Sequence, residues 1–423
     1  MKALLIGILL CTLGTAWSQS TWYEVPTPTT NKLNDIDFVD SSVGYIVGDC
    51  TTILKTTDGG ENWLELNHTG ISTNTWSHEL VDVDFVDEQI GFVSLLNDNH
   101  GVYKTVDGGM TWTPASNTSS NMCYKSCTYV NSENDYFIGG AGCFQSAQVN
   151  HFVNSVWNIS TVNYETFNPG DYVVELDFNN GIGLAALNGR YMLRSIDNGA
   201  TWDSLPAFFP STNSNEVLTS VMFASADTVF AGYEYPNIPG TGFLMSVDAG
   251  LTWTNVNIPS FVSPAARDFT KAGNSDIYGG GITASWHDMG VIFETTDGIN
   301  WSETFVLETI NGMDNYGSDV VFAVGDSGYV VTNVPLGNIG VDEGQAFSSI
   351  SIYPNPTTDI ITIRNESNEP MVYTLINAQG VVLMEHFEAI DGNTLDLSQM
   401  PSGMYFLKPA SELYPTVYKI SKM

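Results

Sequence analysis

Basic side chains are scarce in this chain. Only 13 lysines and arginines stand against 47 aspartates and glutamates, for a formal net charge of −34. A field of that sign repels nucleic acid and anionic membrane surfaces, so neither is expected as a partner. Histidine is also sparse, with six residues, and His68, His78, His100 and His287 are scattered, so no metal site or cofactor is assigned. Long apolar runs are missing beyond the first residues, which excludes a membrane-spanning helix of ~20 residues. At 14% charged and 43% hydrophobic residues the chain nevertheless reads as globular rather than disordered.

The start of the chain carries Lys2, an uncharged and mostly apolar run over residues 3–13, and then Ala16-Trp17-Ser18. A basic start, a short apolar core and small residues at the −3 and −1 positions describe a secretory signal peptide over residues 1–18. Cleavage is expected between Ser18 and Gln19. Export into an oxidising compartment leaves Cys50, Cys123, Cys127 and Cys143. An even number permits two disulfides in any of three connectivities.

What the chain does have is a repeat. Counting from Trp22, the tryptophans at 63, 112, 157, 202, 253 and 301 follow at intervals of 41, 49, 45, 45, 51 and 48 residues. Each interval holds four short β-favouring runs, such as "DIDFVD", "VGYIVGD", "TILKTT" and "NWLEL". Four strands per unit of ~40–50 residues describe propeller blades. Six units end in the tryptophan region, the third of them with a degenerate "HFVNSVW" turn, and a seventh stops after three strands. The orphan "STWYEV" at the mature N-terminus can supply the missing outer strand. Residues 21–25 should then pair with residues 329–334 and close a ring of seven blades over residues 19–335.

The turn between the last two strands of a unit reads "TTDGGENW", "TVDGGMTW", "SIDNGATW", "SVDAGLTW" and "TTDGINW". This pattern resembles the Asp-box (BNR) repeat, and the units are similar to the photosystem-II assembly-factor type of seven-bladed propeller over about residues 22–335. The resemblance implies a peripheral, structural role for Asp58, Trp63, Asp107, Trp112, Asp197, Trp202, Asp248, Trp253, Asp297 and Trp301. Turn chemistry agrees, because the carboxylate accepts backbone N–H groups and glycine accepts a positive φ. Photosystem assembly itself does not carry over with the fold.

After a linker at 336–347, the segment 348–423 reads "ISIYPNPTTDIITI", "YTLINAQGVVLME", "MPSGMYFLK" and a closing "YKISKM". It resembles the C-terminal sorting domain of the type IX (Por) secretion system of Bacteroidota, carried by Tyr353, Pro354, Asn355, Pro356, Gly380, Gly403, Lys419 and Lys422. The resemblance implies engagement of the type IX machinery and a product secreted or attached to the outer-membrane surface. Read from the residues alone, seven short β-rich runs separated by Gly, Pro, Asn and Asp describe a small Ig-like β-sandwich. The fold class is therefore all-β throughout.

Strand parity locates a site. In an a-b-c-d meander the a–b and c–d turns share one face, and the b–c and d–a connections share the other. The long, variable connections (66–80, 114–127, 159–172, 204–217, 234–242 and 282–290) all fall on the second face, where binding residues concentrate. Trp76, His78, Tyr233, Tyr235, Trp286, His287 and Asp288 are the candidate ligand-binding residues there. Asp37, Asp84, Asp177 and Asp268, each directly before a Phe on a first strand, should gather near the axis and bond between blades; a cation among them would follow oxygen-ligand logic. The expected function is a monomeric, non-catalytic surface propeller that binds a glycan or protein. The alternative is a sialidase- or glucanase-like glycoside hydrolase. Against it, the propeller holds only Arg190, Arg194 and Arg267 and lacks an Arg-Ile-Pro signature.

Overall fold

The computed structural model describes residues 21–71, 78–96, 101–115, 122–142, 147–163, 171–189, 191–205, 217–234, 243–256, 265–283, 289–335, 350–353, 357–365, 371–377, 382–389, 392–401, 403–409 and 418–422. The chain divides into two compact units, Met1–Leu336 and Gly337–Met423. Signal residues Ser18 and Gln19, and linker residues 336–347, lie outside the described residues.

The first unit is a seven-bladed propeller. Its inner strands, lettered a in each blade, are Leu33–Phe38, Leu80–Phe85, Met122–Ser132, Val173–Asn179, Val217–Phe223, Ala265–Ala272 and Ile310–Tyr316. Each packs against the inner strand of the next blade, and the seventh returns to the first. Strands b of the first two blades, Gly44–Gly48 and Gly91–Leu95, are buried at every position, because both faces of each sheet are covered by neighbouring blades. The outermost strands Leu64–Glu65 and Thr113–Pro114 are exposed.

The ring closes as the sequence predicts. Tyr23–Glu24 pairs antiparallel with Val330–Thr332, Tyr23 opposite Thr332 and Glu24 opposite Val331. The Val25 N–H then donates to Val330 O at 2.9 Å, and Thr27 Oγ1 donates to Gly328 O at 2.7 Å. Val25→Pro removes that buried donor and strands the Val330 acceptor. The expected cost is about 1–3 kcal/mol, read as a lower urea midpoint, with exposed Glu24→Ala near neutral. An unchanged midpoint in Val25→Pro would show that the closing strand does not hold the ring.

Two features depart from a uniform four-stranded repeat. Thr161–Asn163 adds a fifth strand to blade 4, parallel to Thr201–Ser204. In blade 3 the Asp box is replaced by a two-residue hairpin between Ala147–Val153 and Val156–Ile159. Asn154 and Ser155 both take positive φ there, at 51° and 64°, the mirror-image turn that matches strand twist.

The Asp boxes act as clasps. In the second, Asp107 Oδ1 accepts the N–H groups of Met110 and Thr111, while Thr105 Oγ1 accepts the Gly109 N–H at 3.0 Å. The Trp112 indole closes the turn by donating to Gly109 O at 2.9 Å. Boxes at Asp197 and Asp248 repeat the arrangement through Trp202 and Trp253.

Cys50 and Cys127 are free thiols, one exposed and one buried, so neither joins the two disulfides that the cysteine count permits. Cys143 and the side chain of Cys123 lie outside the described residues.

The second unit is a small two-sheet β domain of seven described strands. Ile350–Tyr353, Ile360–Asn365 and Thr394–Asp396 form one sheet; Val382–Ala389, Met371–Asn377, Gly403–Pro409 and Tyr418–Lys422 form the other. Its core gathers Ile361, Ile363, Tyr373, Leu375, Tyr405 and Ile420. Tyr353 is exposed, Gly403 opens a strand opposite Lys422, and Lys419 lies opposite Phe406. Pro354, Asn355, Pro356 and Gly380 lie outside the described residues.

Candidate functional site

Every inner strand carries an extra residue near its start. The register skips Asn34, Val81, residue 126, Val174, Thr219, Arg267 and Asn311 at equivalent points of the seven blades, and the long strand of blade 3 skips residues 123 and 131 as well. A bulge of this kind re-aims the strand that follows it. It also aligns the blades. The first position after the bulge holds Asp35, Asp82, Cys127, Glu175, Ser220, Asp268 and Gly312. Two residues further on stand Asp37, Asp84, Tyr129, Asp177, Met222, Thr270 and Asp314. Successive side chains of a strand alternate faces, so the two sets lie on the same side.

Eight of these positions are carboxylates, and all eight line one axial cavity of about 510 Å³. Asn34, Val81, Thr219, Arg267 and Asn311 line its mouth, joined by Leu96 beyond the end of a strand b. Strands a begin and strands b end on the face of the long connections, so the channel opens there.

Seven of the eight carboxylates bridge to the next blade. Asp35 accepts the Val83 N–H at 2.8 Å, Asp82 that of Thr128 at 3.0 Å, and Asp268 that of Met313 at 2.7 Å. From the second set, Asp37 accepts from Phe85 N, Asp84 from Val130 N, Asp177 from Phe223 N and Asp314 from Phe38 N, at 2.6–2.8 Å. Tyr129 keeps the seam where the acid is missing, its hydroxyl donating to Phe178 O at 3.3 Å. The Glu175 carboxylate accepts instead from its own neighbour, Leu176 N, at 3.2 Å.

Depth within the ring dominates the electrostatics. Burial pushes Asp82 up to about 6, and Asp177, Asp268 and Asp314 up to about 7. Burial and then neighbouring carboxylates raise Asp35, Asp37, Asp84 and Glu175 well above the usual range. Burial, followed by Glu175 and Asp82, also raises the Cys127 thiol. Arg267 is the one cation among the described lining residues. It is committed to Asn311 Oδ1 at 2.7 Å and Glu234 Oε2 at 3.6 Å. Among the described residues no three His, Cys, Asp or Glu side chains are placed to hold one metal ion.

Of the aspartates expected at the axis, Asp37, Asp84 and Asp177 stand in one set, and Asp268 stands in the other, because Phe269 occupies the position of Ile36 rather than Phe38. Asp35, Asp82, Glu175 and Asp314 were missed by a rule tied to a following Phe. The repeated acid-x-acid pattern (Asp35-Ile36-Asp37, Asp82-Val83-Asp84, Glu175-Leu176-Asp177) was the available signal for most of them.

Tyr233 is 5% exposed and packs in the core beside Leu218 and Val221, its hydroxyl donating to Asn255 Oδ1 at 3.2 Å. It is a core residue rather than a loop ligand. The carbonyl of half-buried His78 accepts the Thr51 N–H at 2.7 Å across the first seam. Trp76, Tyr235, Trp286, His287 and Asp288, together with Arg190, lie outside the described residues.

Comparison with known proteins agrees with this architecture. Residues 351–422 match the secretion system C-terminal sorting domain, and residues 15–75 match the photosynthesis system II assembly factor YCF48. The photosystem II assembly lipoprotein Ycf48 of Trichormus variabilis is 44% identical over 70 residues, 15% of this chain and 20% of that protein. The Prochlorococcus marinus counterpart is 41% identical over 68 residues, again 15% and 20%. The matched stretch thus spans about a fifth of these relatives. Among solved structures, YCF48 bound to D1 peptide superposes with a TM-score of 0.56 at 15% identity, covering 76% of this chain and 97% of that one. YCF48 from Cyanidioschyzon merolae gives 0.54 at 15% identity, covering 74% and 98%. At that identity the likeness establishes the fold. The sorting domain addresses the chain to type IX export, as a secreted or surface-attached protein. No helix among the described residues is long and apolar enough to cross a membrane.

Proposed function

We propose that this exported propeller is a non-catalytic binding protein that takes a basic segment of a protein partner over the mouth of its axial channel. One observation carries the reading: eight carboxylates line a cavity in which Arg267 is the one described cation, already bonded to Asn311 and Glu234. A lysine or arginine side chain arriving at the mouth draws protons off these raised carboxylates and is held by the charge that develops, so binding should strengthen as pH rises through 7. The long connections surround the same mouth. A peptide ligand is also in keeping with the similar YCF48 fold, whose structure contains one.

The carboxylates are poorly suited to hydrolysis. A glycosidase needs an acid and a base free to face the substrate. Seven of the eight are held by N–H groups of the adjoining blade.

Glu175 makes the sharpest test, since its carboxylate has no bond across a seam among the described contacts. An oligo-lysine peptide should bind with an affinity that falls steeply with salt. At pH 8, Glu175→Gln should weaken it up to about tenfold by fluorescence anisotropy without lowering the urea midpoint. Binding of neutral glycans in place of the peptide would move the assignment to a sugar ligand. Measurable turnover of sialosides or β-glucans would sink the non-catalytic reading.

A further inference from the structure

A second cavity, of about 260 Å³, lies between blades 3 and 4 on the opposite face, among the short turns. Asn131, Asp135, His151, Asn180 and Asn198 bring polar groups to it, with the rings of Tyr129 and Phe178 behind. The sheet register explains why it is there.

On strand c, the residue paired with the central aromatic or leucine of strand b is Lys55 in blade 1, Lys104 in blade 2, His151 in blade 3 and Arg194 in blade 4. The three long cations reach across to an outer turn of the next blade. Lys55 Nζ lies 3.5 Å from Gly108 O and Arg194 Nε lies 3.0 Å from Ala249 O. Both acceptors follow the Asp of an Asp box. Lys104 Nζ meets Glu133 Oε1 at 2.7 Å, on the turn before strand b of the box-less blade 3. In two of these seams the ammonium also rests over a ring, 4.8 Å from that of Tyr45 and 5.7 Å from that of Phe92.

His151 is too short for this reach. It stacks on Phe137, with ring centroids 3.9 Å apart, and its Nε2 donates to Asp135 Oδ1 of its own blade at 2.6 Å. The residue after the Asp in the facing box is Asn198, and the cavity lies against it. Blades 5, 6 and 7 carry Met245, Glu294 and Thr332 at this strand position; at the seam between blades 3 and 4 the place of the crossing cation is open and a carboxylate and amide groups line it.

We infer that the blade 3–4 cavity, lined by Asp135, Asn131, Asn180 and Asn198, is a binding site for an external ammonium or guanidinium group, the tip of a lysine or arginine side chain. The cation would occupy the place that Lys55 and Arg194 fill in their own seams. Asp135 supplies the charge, and the asparagine oxygens and the Asn198 carbonyl complete an acceptor set for a donor-only group. This site is independent of the axial channel and faces the other way.

The test titrates 15N-histidine-labelled protein with Nα-acetyl-lysine methylamide and with its neutral isostere Nα-acetyl-norleucine methylamide. The histidine resonance lost in His151→Ala identifies His151. The lysine compound should shift it saturably and the norleucine compound should not. Asp135→Asn should weaken the titration at least about tenfold, and Glu175→Gln, in the axial channel, should leave it unchanged. Equal shifts from both compounds, no shift from either, or an Asp135→Asn titration like the parent's would overturn the inference. If Asp135→Asn fails to fold, His151→Lys decides. Its ammonium should cross the seam as Lys55 does and raise the thermal midpoint above the parent's; a midpoint at or below the parent's contradicts an open cation place.

Discussion

Trp202→Ala should destabilise the propeller by about 3–5 kcal/mol, whereas Trp157→Ala should cost only about 1–2 kcal/mol. The two tryptophans stand at the same point of consecutive units, so the contrast isolates what the Asp box contributes. Trp202 is fully buried, edge-on to Phe178 at 5.6 Å, with its indole N–H donating to Gly199 O at 3.0 Å. The space cannot collapse around an alanine, because the surroundings are inflexible. A Cβ at Gly183 would already come within 2.7 Å of the indole ring. Trp157 follows the hairpin that replaces the box and is only half-buried, against Tyr136 and Phe152. Trp202→Phe should recover most of the loss. It keeps the ring in the seam, and Gly199 O still accepts the Ser160 hydroxyl at 2.6 Å. Equilibrium urea unfolding of the three variants measures all of this. Equal costs at 157 and 202 would mean that the box tryptophan is a surface ornament rather than a core residue.

The same contrast shows why the architecture could be read from sequence. A box turn binds its own backbone through residues within four positions of one another, as Asp107 does with Thr111, so its chemistry is local and recurs legibly. Blade number and closure followed by counting. The seven strands of the second unit were legible for the same reason, each run being bounded by turn residues. What could not be read depends on long-range register. The bulge at Asn34 and its six counterparts appears only in pairing with strand b, and it decides which acids share a position. That is why Asp268 was grouped with Asp37 although it aligns with Asp35. Tyr233 reads as part of an aromatic loop in "YEYPNIP", yet it is the next-to-last residue of the strand Val229–Glu234 and packs on the neighbouring blade. The strand Thr161–Asn163, lying parallel to Thr201–Ser204, has no local signature at all.

The propeller should be more stable at pH 5 than at pH 8, with a thermal midpoint higher by on the order of 5 °C. Acidic proteins rich in paired carboxylates usually lose stability on acidification, so the direction is diagnostic. Unfolded aspartates titrate near 3.8, whereas burial holds Asp82 near 6 and Asp177, Asp268 and Asp314 near 7. Between these limits the folded ring keeps protons that the unfolded chain has released. Unfolding free energy therefore falls as pH rises through 4 to 7. Below about pH 4 both states are protonated and the stabilisation is fully present; above the folded values it is gone. The Asp boxes work in the opposite sense. Hydrogen bonds from the hydroxyls of Thr111, Thr201 and Thr252 hold Asp107, Asp197 and Asp248 below their usual range. Their contribution persists above 3.8 and disappears only as pH falls further. Two sets of aspartates, one at the axis and one at the rim, thus place the stability maximum near pH 4–5, where the axis is protonated and the rim is still ionised. Asp314→Asn separates the two, since its amide oxygen can still accept the Phe38 N–H that Asp314 Oδ2 accepts at 2.6 Å. The variant should melt higher than the parent at pH 8 and nearly level with it at pH 5, giving a flatter profile by differential scanning fluorimetry. A parent profile that rises from pH 5 to pH 8 would mean that the channel carboxylates are ionised and stabilised in the folded ring, and the electrostatic description of the channel would have to be reversed.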